Sequence, residues 1–259
     1  MTRSNARILL LACAVTLTGC AHQRADRPEP APPAQIAEPD FIEVFPGVRL
    51  DREKRIVEFD GFVPINVNDP DAPDVWLELV VCLVDTREHE SLVATSVTPS
   101  NIHAAMLLAG FEPGAPGGWR PVAGAIERTA PTGDPVLVQL ITERSGAQGK
   151  GERRIDDART WIRDSETGQP LPVDGVGFVF AGSSRVPFRG RDWYAADGGG
   201  VVIGLVTFAD PASTAMISWR ETISDAASVD APRWLADPRR TPPFGTAVTV
   251  RLSHDPQEP

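Results

Sequence analysis

Between Phe41 and Leu252 glycine and proline cut the chain into short apolar runs, and few of these are long enough to make a helix. Phe41–Phe45, Ile56–Phe59, Trp76–Val84, Val136–Thr142, Val176–Ala181, Val201–Phe208, Ala215–Trp219 and Ala247–Leu252 alternate or run apolar over strand lengths. The Gly and Pro clusters between them carry turn chemistry. This pattern predicts an α+β fold: one β-rich domain of mostly antiparallel sheet. One helix is well marked, over about 99–109, with Thr98 as cap, Pro99 in the first turn and Gly110 as the stop. A second, short helix is predicted over about 155–163, where Ile155, Ala158, Trp161 and Ile162 share one helical face.

The N-terminus is of a different kind. Arg3 and Arg7 precede an apolar run from Ile8 to Thr18 that is too short to span a bilayer, followed by Leu17-Thr18-Gly19-Cys20. A basic head, an apolar run and small residues before a cysteine resemble the signal and lipobox of bacterial lipoproteins. The resemblance implies cleavage after residue 19 and a lipid on Cys20, several acyl chains being enough for stable membrane anchoring. Ala21, where an aspartate would signal retention in the inner membrane, points to the outer membrane facing the periplasm. Residues 20–40, rich in Pro and Ala, lack the apolar surface needed to fold and are expected to form a tether. The globular domain is expected over 41–256.

The formal charge is −10, and without Arg3 and Arg7 it is nearer −12, with 23 basic against 35 acidic residues. No basic stripe is present to release phosphate counterions, so nucleic acid is excluded as a partner. Of three cysteines, Cys13 lies in the signal and Cys20 in the lipobox, which leaves Cys82 alone. A disulfide within the domain and a four-cysteine iron–sulfur site are both excluded.

One cluster could carry chemistry. If the strand ending at Val84 and the segment from His89 to Thr95 form a hairpin, Cys82 pairs with Ser91. Cys82 and His89 then share a face about 7 Å apart. Glu78 shares that face roughly 13 Å from Cys82, and Glu90 points the other way. His103 could join from the predicted helix. Such a Cys/His pair could serve as nucleophile and base, and with a second His and a carboxylate it could hold zinc or copper. Equally, Cys82 within Leu79–Val84 and His103 among Ala, Met and Leu fit simple core packing. Neither catalytic residues nor an organic cofactor site can be assigned.

Other motifs fail. His89-Glu90-Ser91-Leu92-Val93 lacks the second histidine of a zinc-protease helix, and Gly182-Ser183-Ser184 lacks the frame of a nucleophile elbow. Asn68–Asp74 departs from an EF-hand loop and reads as a solvated acidic loop. Gly198-Gly199-Gly200 reads as a hairpin turn rather than a dinucleotide fingerprint.

Several segments together resemble YdjY-domain proteins: Leu77–Cys82, Glu88–Leu92, Ile102–Gly110, Trp161–Asp164, Gly177–Ser183, Tyr194–Gly199 and Thr241–Thr246. The likeness covers about Phe45 to Pro256. It implies no established activity. The ferredoxin-like label of some shorter relatives cannot apply to a chain with Cys82 alone, and Val206–Asp210 departs from a polar Asn-Phe segment in relatives. The expectation is therefore a lipid-anchored, non-catalytic envelope module that binds or scaffolds another protein, polymer or surface component. The alternative is a metal-binding or thiol-dependent envelope protein using Cys82, His89 and His103, with Glu78 or Glu90 in support.

Overall fold

The computed structural model describes residues 39–145, 151–172 and 177–254. The expected signal peptide, Cys20 and all but the last two residues of the tether lie outside them. The described strands are, in chain order, β1 (Ile42–Phe45), β2 (Val48–Asp51), β3 (Ile56–Phe62), β4 (Leu79–Leu83) and β5 (Ser91–Thr95). Helix α1 (Pro99–Leu108) follows, then β6 (Gly118–Val122), β7 (Ala125–Thr129), β8 (Pro135–Ser145), β9 (Gly151–Asp157) and β10 (Ile162–Asp164). The last third holds β11 (Phe178–Val179), β12 (Arg185–Phe188), β13 (Arg191–Tyr194), helix α2 (Ala195–Gly199), β14 (Val201–Gly204), β15 (Ile217–Trp219), β16 (Trp234–Ala236) and β17 (Ala247–His254).

Eight of these strands close on themselves in the order β3-β17-β8-β11-β15-β14-β4-β5 and back to β3. Closure removes the edges that an open sheet would expose. Strands β1 and β2 extend the sheet beyond β3, and β9 pairs with β8. The seam between β5 and β3 is a single pair, Phe62 with Ala94. Gly61 makes it possible: a Cβ there would stand 2.7 Å from the Ala94 carbonyl oxygen. The Thr95 hydroxyl then ties the seam by donating to the Asp60 carbonyl at 2.6 Å.

The β-rich prediction stands, but the sheet is not simply antiparallel. Strand β14 runs parallel to β15, and β4 runs parallel to β5. The second junction overturns the expected hairpin: Cys82 faces Ala94, not Ser91, and Ser91 faces Leu79. Parallel neighbours usually need a crossover of a dozen residues, whereas residues 84–90 return here. Asp85 turns the chain in a left-handed conformation (φ +61°), and the Glu88 carboxylate accepts from the Asp85 and Thr86 N–H groups. The Arg87 guanidinium then bridges Glu78 (3.5 Å) and Glu90 (3.0 Å), pinning together the starts of the two strands.

The second predicted helix is also corrected. Residues 155–163 divide among the end of β9, a 3-10 turn at Ala158–Trp161 and the start of β10. β9 is zipped to β8 through Asp157, whose carboxylate then accepts from the Arg159 N–H and turns the chain. Trp161, fully buried, anchors that turn and donates from its indole N–H to Asp156 at 3.0 Å. The apolar spacing read as a helix face is thus shared between the core and the surface, with Ile155 45% exposed.

Helix α1 forms as expected and buries Ile102, Ala105 and Met106, at the i, i+3, i+4 spacing of one face. At its C-terminus the Gly110 N–H reaches the Leu107 carbonyl and the Phe111 N–H the Met106 carbonyl, each at 3.0 Å, while Phe111 packs back into the core. Arg55 completes this end by donating to the Ala109 and Gly110 carbonyls. The N-terminal cap differs from expectation. Thr98 makes no side-chain cap; the Asp197 carboxylate, from α2, accepts the Ser100 N–H at 2.8 Å. Both helix ends are therefore fixed by distant charged residues.

Outside the barrel, Glu58 is 4% exposed beneath Arg49, Arg153 and Arg251, the last 2.6 Å away.

Candidate functional site

A cleft of about 540 Å³ opens beside α1, lined by His103, Leu107, Gly182, Arg185, Asp192 and Tyr194 among others. Each wall has a local cause. The β12–β13 hairpin turns at Arg189-Gly190, both with positive φ, as a two-residue hairpin requires. Its register sets Arg185 opposite Tyr194, and the two-residue period along β13 puts Asp192 on the same face as Tyr194. The floor is Gly182-Ser183, where φ is +84° and +59°. A Cβ at Gly182 would stand 2.9 Å from the Pro113 side chain and 3.5 Å from the His103 ring.

His103 meets the only tyrosine of the chain: its Nδ1 lies 2.8 Å from the Tyr194 hydroxyl. Tyr194 also stands edge-on to the imidazole, and Phe180 tilts against it with centroids 4.9 Å apart. Burial and the nearby Arg185 guanidinium push the His103 pKa below its usual value, which favours the neutral ring. Burial, reinforced by Asp197, pushes the Tyr194 phenol pKa upward, so it keeps its proton. The tautomer of the ring decides which of the two donates: if the phenol donates to Nδ1, the one ring N–H is on Nε2, and if Nδ1–H donates to the phenol oxygen, Nε2 is an acceptor.

The serine at the floor is occupied. The Ser183 hydroxyl donates to the Thr214 carbonyl at 2.7 Å and accepts the Ala196 N–H at 3.1 Å, holding the first turn of α2. Two charged groups at the cleft, in contrast, are exposed. Among the described residues, neither the Arg185 guanidinium nor the Asp192 carboxylate has an ion-pair or hydrogen-bond partner. Trp193 and Leu107, at 48% and 47% exposure, supply the apolar rim.

The structure disperses most of the sequence-derived cluster. Cys82 is fully buried with Leu79, Ala94, Val201, Phe208 and Ala215, and burial pushes its thiol pKa upward. His89 lies on the surface, its side chain 78% exposed, with Nε2 3.7 Å from Glu90. His103 turns to Tyr194 instead. Among the described residues, no group of three or more His, Cys, Asp and Glu side chains is placed to hold a metal ion.

Glu78 and Glu90 are brought together, through Arg87, in a small pocket shared with Asp225 and Trp234. Burial, with the Glu90 carboxylate close by, pushes the Glu78 pKa up to about 7. Glu78 therefore binds a proton in the folded chain that the unfolded chain releases near pH 4.5. Its contribution to stability is fully present below pH 4.5 and fades as the pH rises through about 7. Glu78→Gln should match the parent at pH 4 and exceed it at pH 8, by about 1 kcal/mol after solvent screening. Urea denaturation of both proteins across that range checks the sign.

Sequence reasoning missed Arg185, Asp192 and Trp193. Gly198-Gly199-Gly200 is not a hairpin turn; it ends α2, with Gly200 at φ +71° as the cap. The chain's single tyrosine was the available signal.

Fold and site together define a closed eight-stranded β-barrel domain with a side cleft bounded by one helix and one hairpin. The YdjY domain family model matches residues 48–253, and the chain belongs to that family. Three of the segments that carried the resemblance, Ile102–Gly110, Gly177–Ser183 and Tyr194–Gly199, meet at the cleft. No curated protein and no solved structure matches the chain.

Proposed function

We propose that this protein is a lipid-anchored envelope module that binds a ligand in the His103–Tyr194 cleft and performs no chemistry on it. The carrying observation is the contrast within the cleft. Arg185 and Asp192 face it without partners, whereas the groups that could attack a substrate are engaged: Ser183 holds α2, Tyr194 retains its proton, and Cys82 is buried elsewhere. Charged groups that line a pocket and are not tied up within the fold are open to a ligand, whose orientation a few such groups can fix. The lipobox-like Leu17–Cys20 and the Pro/Ala-rich tether support anchoring through lipid on Cys20 at the outer membrane, with the domain facing the periplasm.

Two results test this reading. Cys20→Ala should move the chain from the membrane to the soluble fraction, and retention in the membrane would overturn the anchor. A photoactivatable phenylalanine analogue replacing Leu107 at the cleft rim should give adducts in intact cells, and these should be lost when Ala104→Trp fills the cleft. The same analogue replacing Val122, exposed on the β6–β7 hairpin, should give none. Equal adducts at both positions, or none at 107, would overturn the cleft.

A further inference from the structure

A second cavity, also of about 540 Å³, lies on the other side of the β12–β13 hairpin and shares Trp193 and Tyr194 with the first. The two therefore flank one half-exposed indole, and each falls within the range of ligand pockets. A compact molecule would fill one of them. A ligand in contact with both must be a chain that crosses Trp193.

The lining narrows its chemistry. Arg185 offers only donors and Asp192 only acceptors, while His103 adds a ring nitrogen whose role follows its tautomer. A ligand of one charge would satisfy one of these groups and be opposed by another. Hydroxyl groups satisfy both, because each donates and accepts. Trp193 supplies a flat apolar surface with a polar tip, suited to a ligand that is apolar on its faces and polar around its rim. The cleft sets one guanidinium against the carboxylates of Asp192 and Asp197, in a chain of net charge −10, which disfavours a polyanion. An extended peptide is a weaker fit: the polar groups here are side chains on the face of the hairpin, whereas strand addition uses the backbone row along an edge.

We propose that the groove across Trp193 binds a stretch of neutral polysaccharide. This rests on the cleft being the binding site and names the class of ligand it takes.

The test is titration of the full chain, in detergent, with neutral hexasaccharides of glucose and of N-acetylglucosamine, followed by tryptophan fluorescence and calorimetry. At least one hexamer should bind saturably, and at least tenfold more tightly than its dimer, because only the longer chain spans both cavities. Trp193→Ala should weaken binding tenfold or more. Arg185→Met and Asp192→Asn, which change exposed groups without partners, should each weaken it several-fold while thermal unfolding stays within a few degrees. Absence of binding by every hexamer, equal affinity for dimer and hexamer, or unchanged affinity in all three variants would each overturn the proposal. Photo-adducts at position 107 without hexasaccharide binding would overturn the sugar class and leave the cleft in place. Loss of both would overturn the cleft as well. Binding of neutral hexapeptides in place of the sugars would assign the groove to peptide.

Discussion

Gly133→Ala is expected to destabilise the domain by about 3–4 kcal/mol, lowering its melting temperature by roughly 10 °C. Three backbone segments meet at this glycine. The Gly114 N–H donates to the Phe180 carbonyl, the Phe180 N–H to the Asp134 carbonyl, and the Asp134 N–H to the Glu112 carbonyl, at 2.9–3.1 Å. A Cβ on Gly133 would stand 2.0 Å from the Phe180 oxygen and 2.9 Å from the Gly114 nitrogen, with φ at +136°. The obstacle is backbone, so no side chain can swing aside, and relief requires breaking the junction. Phe180 also supports the His103 ring, so the damage should reach the cleft. Gly124→Ala is the control. Its φ is +84° with nothing within 4 Å, so it adds backbone strain alone, about 1 kcal/mol. Equal losses at the two positions would show that the 112–134–180 junction is not formed.

The sequence disclosed elements more readily than their partners. Alternation and length located most barrel strands, and the Pro99–Gly110 signals located α1, because such information sits within a few residues. Direction of pairing does not. The link between β4 and β5 is short enough for a hairpin, and only the Arg87 bridge to Glu78 and Glu90 and the left-handed Asp85 explain why the chain returns parallel. One reversed pairing dissolved the Cys82–His89 juxtaposition. Likewise, Ile155, Ala158, Trp161 and Ile162 keep helical spacing, yet β8 supplies a ladder of partners through Asp157 that a lone helix would lack.

The cleft was half visible. His103 stood out by residue type and Tyr194 by rarity, but the contact between them spans 91 positions and depends on the β12–β13 register. Arg185 and Asp192 carry no local signal at all. What distinguishes them is the lack of a partner, a property of the folded chain.

The proposal that the cleft, and not the cysteine–histidine cluster, is the site requires an inert Cys82, and the reactivity of that thiol tests the requirement directly. Full burial keeps reagents from the sulfur, and the raised pKa reduces the thiolate that would attack them. Modification must then wait for local opening of the barrel around β4, β5 and β14. With an opening free energy of about 4 kcal/mol, labelling of the native chain is slower than that of the unfolded chain by about a thousandfold. The rate should be read at Cys82 itself by peptide mass after timed alkylation at pH 7.5, in the native and the urea-unfolded full chain. The expected result is a thousandfold protection that denaturation abolishes. A native rate within tenfold of the unfolded one would place a live thiol at the surface, contradict the burial, and return the function to Cys82.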